Sequence, residues 1–208
     1  MFTGIITALG RIQSVQPLPG DGAGLRVTVT TPAGWLESTE PGDSICVSGA
    51  CMTAVQMGAE HFVFDISAES LRLTSGLDQV GALVNLEQSL TLATKLGGHL
   101  VTGHVDAVGQ VQTFEPVGES YHLVVGAPSQ LARFFAYKGS ATINGVSLTV
   151  NRVDDAADGS VRIHINLIPH TLQHTNLHTL RQGCRVNLEI DLIARYVQRM
   201  LSSPQAQD

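Results

Sequence analysis

The chain has 208 residues, of which 43% are hydrophobic and 14% charged, with 18 acidic against 12 basic side chains and a net charge of -6. That balance fits a compact folded protein, and the scattered Lys and Arg residues form no basic stripe to neutralise a nucleic-acid backbone. The amino terminus lacks a basic region ahead of a long apolar run and no stretch of about 18 apolar residues offers a membrane span, so a cytosolic chain is expected.

In chain order, short alternating or β-branched runs fall at 11–15, 25–31, 44–48, 51–56, 62–66 and 83–87. Turn residues separate them, a spacing that predicts a small barrel or sandwich. Ser67 stands as a cap before helix formers ending at Leu73, enough for one or two helical turns. The second half repeats this plan with strands expected at 109–114, 122–125, 140–143, 147–153, 161–166 and 185–190, and a helix at 128–137 opened by Pro128. The stretches 17–24 and 154–159, rich in Gly, Pro and Asp, read as exposed turns. From Asp191 the pattern changes: Leu192, Ile193, Tyr196, Val197, Met200 and Leu201 fall on one helical stripe, with Asp191 at the cap position and arginines toward the end. Such a face must be buried, either on the helix's own barrel or against copies of itself, and the pattern leaves both open. Residues 202–208 read as a frayed tail.

The two halves are copies. Residues 42–53 return as 138–149, with Ser44 on Ser140, Gly49 on Gly145 and Thr53 on Thr149, an offset of 96 residues. Thr3-Gly4 matches Thr102-Gly103, Leu71 and Thr74 match Leu172 and Thr175, and Val84-Asn85-Leu86-Glu87 matches Val186-Asn187-Leu188-Glu189. Solenoid repeats are only about 20 to 50 residues long, so each copy here is domain-sized.

Within each copy a Gly is followed at two-residue steps by a small polar residue and a Thr: Gly49, Cys51, Thr53 and Gly145, Ser147, Thr149. On a strand, residues two apart share a face, so Cys51 with Thr53, and Ser147 with Thr149, present polar pairs while Met52 and Leu148 face away. His99 and His104 lie among glycines and suit ligand contact or proton transfer. His170, His174 and His178 are four apart, but no cysteine or carboxylate completes a metal-ligand set, and Pro169 with the polar loop around Asn176 argues against the continuous helix they would need. Cys46, Cys51 and Cys184 are an odd number without a C-x-x-C pair, so free thiols are expected. Asp191 is a cap candidate matched in the first copy by Ser89, which makes the halves chemically unequal there.

These motifs carry a resemblance. Met1-Phe2-Thr3-Gly4-Ile5-Ile6, Gly49-Ala50-Cys51-Met52-Thr53, Gly97-Gly98-His99, Thr102-Gly103-His104-Val105-Asp106, Lys138-Gly139-Ser140, Gly145-Val146-Ser147-Leu148-Thr149, Leu167-Ile168-Pro169-His170-Thr171-Leu172 and Asp191-Leu192-Ile193-Ala194-Arg195-Tyr196 stand in order, and the chain resembles the lumazine-dismutating riboflavin synthase family from end to end. The resemblance implies an all-β fold of two tandem six-stranded Greek-key β-barrels, at 1–97 and 98–190, and a carboxyl-terminal α-helix at 191–208 that assembles a homotrimer. It also implies no cofactor and no metal, active sites shared between subunits, and lumazine synthase as a partner to test. The implied reaction transfers a four-carbon unit between two molecules of 6,7-dimethyl-8-ribityllumazine. Lumazine contacts carried over are Gly4, Ile5, Ile6, Cys51, Met52, Thr53, Ser67, Ala68, Glu69, Ser70, Leu71 and Arg72 in the first barrel. In the second they are Gly103, His104, Val105, Ser147, Leu148, Thr149, Leu167, Ile168, Pro169, His170, Thr171 and Leu172, with Lys138 reaching into a neighbour's site. Ser147 and Asp191 are expected to relay protons, Cys51 to serve the acceptor site, His104 to transfer protons and Phe2 to close the stack. Ser48 stands where the family usually has asparagine, kept in the second copy as Asn144, and Cys46 replaces a usual alanine.

Overall fold

The computed structural model of the chain describes residues 1–20 and 24–202. The turn expected at 17–24 and the tail at 202–208 therefore fall partly or almost wholly outside the described residues. The first copy forms β1 (Ala8–Pro17), β2 (Leu25–Thr30), β3 (Ser44–Val47), β4 (Ala50–Met57), β5 (His61–Ile66), α1 (Ala68–Leu73) and β6 (Leu83–Gln88). Its strands close into a barrel in the order β1-β2-β5-β4-β3-β6, all neighbours antiparallel. Alternate residues Ile45, Val47, Ala50, Met52 and Ala54 point inward with Val27, Phe62 and Phe64. Burying one such large apolar side chain stabilises the fold by about 1.5–3 kcal/mol.

The second copy forms β7 (Ala107–Val117), β8 (Ser120–Ala127), β9 (Ser140–Ile143), β10 (Val146–Thr149), β11 (Arg152–Asp155), β12 (Val161–Leu167) and β13 (Arg185–Ile190), with α2 (Pro169–His174) after β12. Here the hydrogen-bonded order is β10-β9-β13-β7-β8-β12-β11. The strand expected at 147–153 is two strands, because Val150 turns aside to bond Gly139 and Lys138 and Asn151 donates to His164. Only Val150 and Asn151 join β10 to β11, so the two outer edges of this sheet come together and it curls round its own core. The first barrel makes the same change of partner within one strand: Ala54 bonds Asp43 and Gly42, and the register slips between Ala54 and Gln56. The helix expected at 128–137 is a shorter 3-10 turn, Ser129–Phe134, and the chain leaves it through Lys138 in a left-handed conformation (φ 62°).

The hairpin turns Ser48-Gly49 and Asn144-Gly145 both take positive φ, 44° and 92° against 48° and 82°, the type I′ geometry that matches strand twist. Ser48 thus adopts the conformation that its counterpart Asn144 reaches more readily. The two turns meet: a Cβ on Gly49 would stand 2.9 Å from the nitrogen of Gly145, and one on Gly145 would stand 2.8 Å from that of Gly49. Around them Asn85 binds Asn144 and Asn176 of the second copy, while Asn187 binds Ser48 and Ser75 of the first. Contacts between the barrels are therefore reciprocal. Buried amides are costly unless satisfied, and these satisfy one another across the interface.

The last helix, α3 (Leu192–Ser202), is capped by Asp191 Oδ1, which accepts from Ile193 N at 2.8 Å. Arg195 ties its first turn to Asp106. Beyond that turn Tyr196, Val197, Met200 and Leu201 are exposed, so the stripe does not dock on its own barrel. Among the described residues no helix is long and apolar enough to cross a membrane.

Candidate active site

Each copy lends its amino-terminal segment to the other copy's barrel. Glu87 accepts from Thr3 N, Thr3 Oγ1 and Gly4 N, and holds that segment so that Gly4 O receives Ser147 N at 2.8 Å. Glu189 binds Thr102 and Gly103 in the same way, and Gly103 O receives Cys51 N at 2.7 Å. Burial pushes both carboxyls above their usual range, and the hydrogen bonds from Thr3 and Thr102 pull against that shift. Gly4 and Gly103 must be glycine here: each has φ near +75° to +77°, and an added Cβ would lie 2.6 Å from Ser147 Cβ or 2.7 Å from Cys51 Cβ.

This exchange corrects the expected grouping. Gly4 and Ile6 belong to the second barrel, where Ile6 packs on its core, and Gly103, His104 and Val105 belong to the first, where Val105 packs on that core. The physical cause is the buried glutamate at the end of each β6-type strand, which fastens the other barrel's wall through three hydrogen bonds.

In the first barrel Ala50, Cys51, Met52, Ser70, Leu73, Thr74, Gly103, His104 and Val105 line a cavity of about 220 Å³. Met52 lies in the core and Cys51 on the opposite face, as the two-residue alternation requires, with Thr53 exposed at the rim. Ser67 caps α1 by accepting from Ser70 N, and Leu71 packs on the core. Ala68 is exposed, while Glu69 and Arg72 pair with each other on the outer side of α1, so their charges are turned away from the cavity. Ile5 is exposed beside a broader groove of about 710 Å³ that also includes Trp35 and Lys95.

In the second barrel Ser147 Oγ lies 2.7 Å from His99 Nδ1, and His99 Nε2 lies 3.2 Å from Thr142 Oγ1. A proton on Nε2, donated to Thr142, leaves Nδ1 free to accept from Ser147. Burial holds the imidazole below its usual pKa, and the charge of Asp191 opposes that shift. His99 is therefore neutral at pH 7 and can receive a proton from the serine. Thr149 is exposed, Leu148 faces the core, Leu167 is buried and Leu172 packs on the core. Ile168, Pro169 and His170 are exposed, and Thr171 O accepts from Thr175 Oγ1.

Asp191 and Phe2 stand apart from the groups expected beside them. Asp191 does not touch Ser147 through any hydrogen bond; it caps α3 and acts on His99 by charge, so the serine's partner is the histidine. His104 lies on the first barrel, exposed at the cavity of Cys51. Phe2 is fully buried with Cys46 and Val101 and pairs its backbone with Val101, so it forms the wall behind Cys51 and offers no ring face to close a stack. Lys138 projects outward beside Tyr137, its amine 5.3 Å from the ring centre. Of the spaced histidines, His170 and His174 lie ring against ring, with His174 bonded to a backbone carbonyl, and no metal-ligand group occurs among the described residues. His99, singled out by its place among glycines but not among the residues carried over from the family, is the member of the site that pairs with Ser147.

Two like barrels, each walled by the other's segment and each presenting one small nucleophile-type side chain on the same hairpin strand, define a duplicated small-molecule-binding protein. The family profile described as lumazine binding domain matches residues 3–89 and 102–191. The chain is 40% identical to a riboflavin synthase of Brucella abortus over 207 residues, covering 96% of this chain and 98% of that one. It is 37% identical to one of Photobacterium phosphoreum over 209 residues, covering 100% and 92%. A crystal structure of LumP complexed with 6,7-dimethyl-8-(1'-D-ribityl) lumazine superposes with a TM-score of 0.78 at 28% identity, covering 91% of this chain and 98% of that one. The chain belongs to the lumazine-binding domain family and is an enzyme of the riboflavin synthase type.

Proposed function

We propose that the protein dismutates two molecules of 6,7-dimethyl-8-ribityllumazine, transferring four carbons from one to the other to give riboflavin and 5-amino-6-ribitylaminouracil. The carbons that one ring loses the other gains, so the exchange requires no external oxidant. The observation that carries this reading is the hydrogen-bonded pair Ser147–His99 on the strand whose counterpart in the other barrel holds Cys51 beside a cavity. Removal of a proton from the 7-methyl group of a lumazine needs a base; neutral His99 acting through Ser147 supplies one, and general base catalysis of this kind contributes about 10²–10⁴-fold. The Cys51 cavity holds the acceptor ring, and face-to-face alignment of two flat rings supplies much of the remaining rate through orientation.

The two candidate sites of one chain lie on different barrels, and in the proposed arrangement a ring held on one chain meets a ring held on its neighbour. The exposed apolar face of α3 supports assembly into a homotrimer, with Lys138 directed outward to a neighbour's site. Leu192→Asp combined with Val197→Asp should give monomers with little activity on sedimentation, and a surviving trimer would remove this role from the helix. The three free thiols fit a cytoplasmic location.

The likeness to LumP complexed with riboflavin, at 29% identity and a TM-score of 0.78, also favours a second reading, in which the chain binds such molecules without converting them. Purified protein mixed with the lumazine alone decides between the two. One riboflavin formed for every two lumazines consumed supports dismutation; tight binding without riboflavin supports the carrier.

A further inference from the structure

Cys46 and Cys51 are direct partners across the β3–β4 hairpin. With Ser48 and Gly49 as a two-residue turn, Val47 and Ala50 form the hydrogen-bonded pair next to it, and Cys46 and Cys51 the next, non-hydrogen-bonded pair. The outward bond from Cys51 N to Gly103 O agrees with this. Side chains at such a position share one face, with Cα atoms about 4.5 Å apart, within the range of about 4.4–6.8 Å that a disulfide spans. Both point away from the barrel core into the cluster of Phe2 and Val101, and both are free thiols. One is buried, the other opens on the cavity. In the second barrel the equivalent pair is Thr142 and Ser147, which cannot crosslink.

We infer that Cys46 is a resolving cysteine for Cys51, so that oxidation locks the first barrel in a reversible Cys46–Cys51 disulfide. The oxidant is hydrogen peroxide. Cys51 sulfur, reached through the cavity, attacks one peroxide oxygen; the O–O bond breaks, Cys51 becomes a sulfenic acid and the other oxygen leaves as water. Cys46 sulfur then attacks the Cys51 sulfur, the S–O bond breaks, and the departing hydroxide takes the Cys46 proton as a second water. Two thiols are oxidised by two electrons and one peroxide is reduced to two waters. Burial holds the Cys46 thiol protonated, so it is not the first site of attack. The crosslink draws Cys51 sulfur toward Phe2 and out of the cavity wall, and the consequence for turnover rests on the reading of that cavity as a lumazine site.

The test treats the full-length protein with hydrogen peroxide, blocks remaining thiols by alkylation and maps peptides by mass. We expect a peptide spanning both cysteines that is lighter by two hydrogens and unalkylated, with turnover lost in proportion and restored by dithiothreitol. Cys46→Ala should keep normal activity before oxidation, but under peroxide its Cys51 should advance to sulfinic acid and its loss should resist dithiothreitol. No crosslink in the unmodified sequence, or equal recovery in Cys46→Ala, overturns the inference. A protein that forms the crosslink but never makes riboflavin would instead refute the proposed reaction.

Discussion

The two barrels share a backbone and differ in chemistry. In both, a buried glutamate fastens the Thr-Gly pair of its own copy, and the glycine carbonyl receives the strand residue of the other copy that faces the site. Around that residue the neighbours differ: Ser147 meets His99 and Thr142, whereas Cys51 meets Cys46, Phe2 and Val101. Duplication has preserved the groups that set geometry while the groups that move protons or react as thiols have diverged. Under the proposed function, one half takes a proton and the other holds a ring.

The largest break in this comparison should come from the histidine side. Ser147→Ala and His99→Ala should each lower kcat by about 10²–10⁴-fold, while Cys51→Ser should act mainly on KM. Steady-state kinetics with the lumazine would show it, and losses below about threefold for both would reject the serine–histidine pair. The pH profile has a definite sign. Burial lowers the pKa of His99 below the ordinary 6.5, so the neutral base survives as pH falls through that value and activity is lost only at lower pH, when the ring is protonated.

A smaller effect sharpens the exchange of segments. Gly4→Ala and Gly103→Ala should each cost about 1–3 kcal/mol in thermal or denaturant unfolding, since each forces a side chain into a left-handed backbone against the facing strand. Gly103→Ala should change the alkylation rate of Cys51, and Gly4→Ala should leave it near normal. The reverse pattern would place the segments on their own barrels.

The smallest effect concerns the paired turns. Ser48→Asn should raise stability, and Asn144→Ser lower it, by about 1 kcal/mol or less, because asparagine adopts positive φ more readily than serine. Equal melting temperatures for all three proteins would mean that the interface network compensates for the turn.

Much of this was legible in the sequence. The repeat fixes two copies, two-residue alternation orients Cys51 against Met52 and Ser147 against Leu148, and Asp191 reads as a cap. What was not legible is long-range. Nothing local reveals that Gly4 crosses to Ser147 or Gly103 to Cys51, since those contacts depend on Glu87 and Glu189, more than 80 residues away. The partner of His99 was hidden for the same reason, being 48 residues distant. Local rules failed where one residue changes strand partners, at Val150, and where a proline-led run settles into a 3-10 turn.

The most direct test of unlike barrels is hydrogen–deuterium exchange at the 7-methyl group of the bound lumazine, followed by NMR in deuterated buffer. We predict that His99→Ala and Ser147→Ala lower enzyme-catalysed exchange to the uncatalysed rate while Cys51→Ser retains it. Exchange that persists in His99→Ala but disappears in Cys51→Ser would contradict the assignment and move proton transfer to the first barrel.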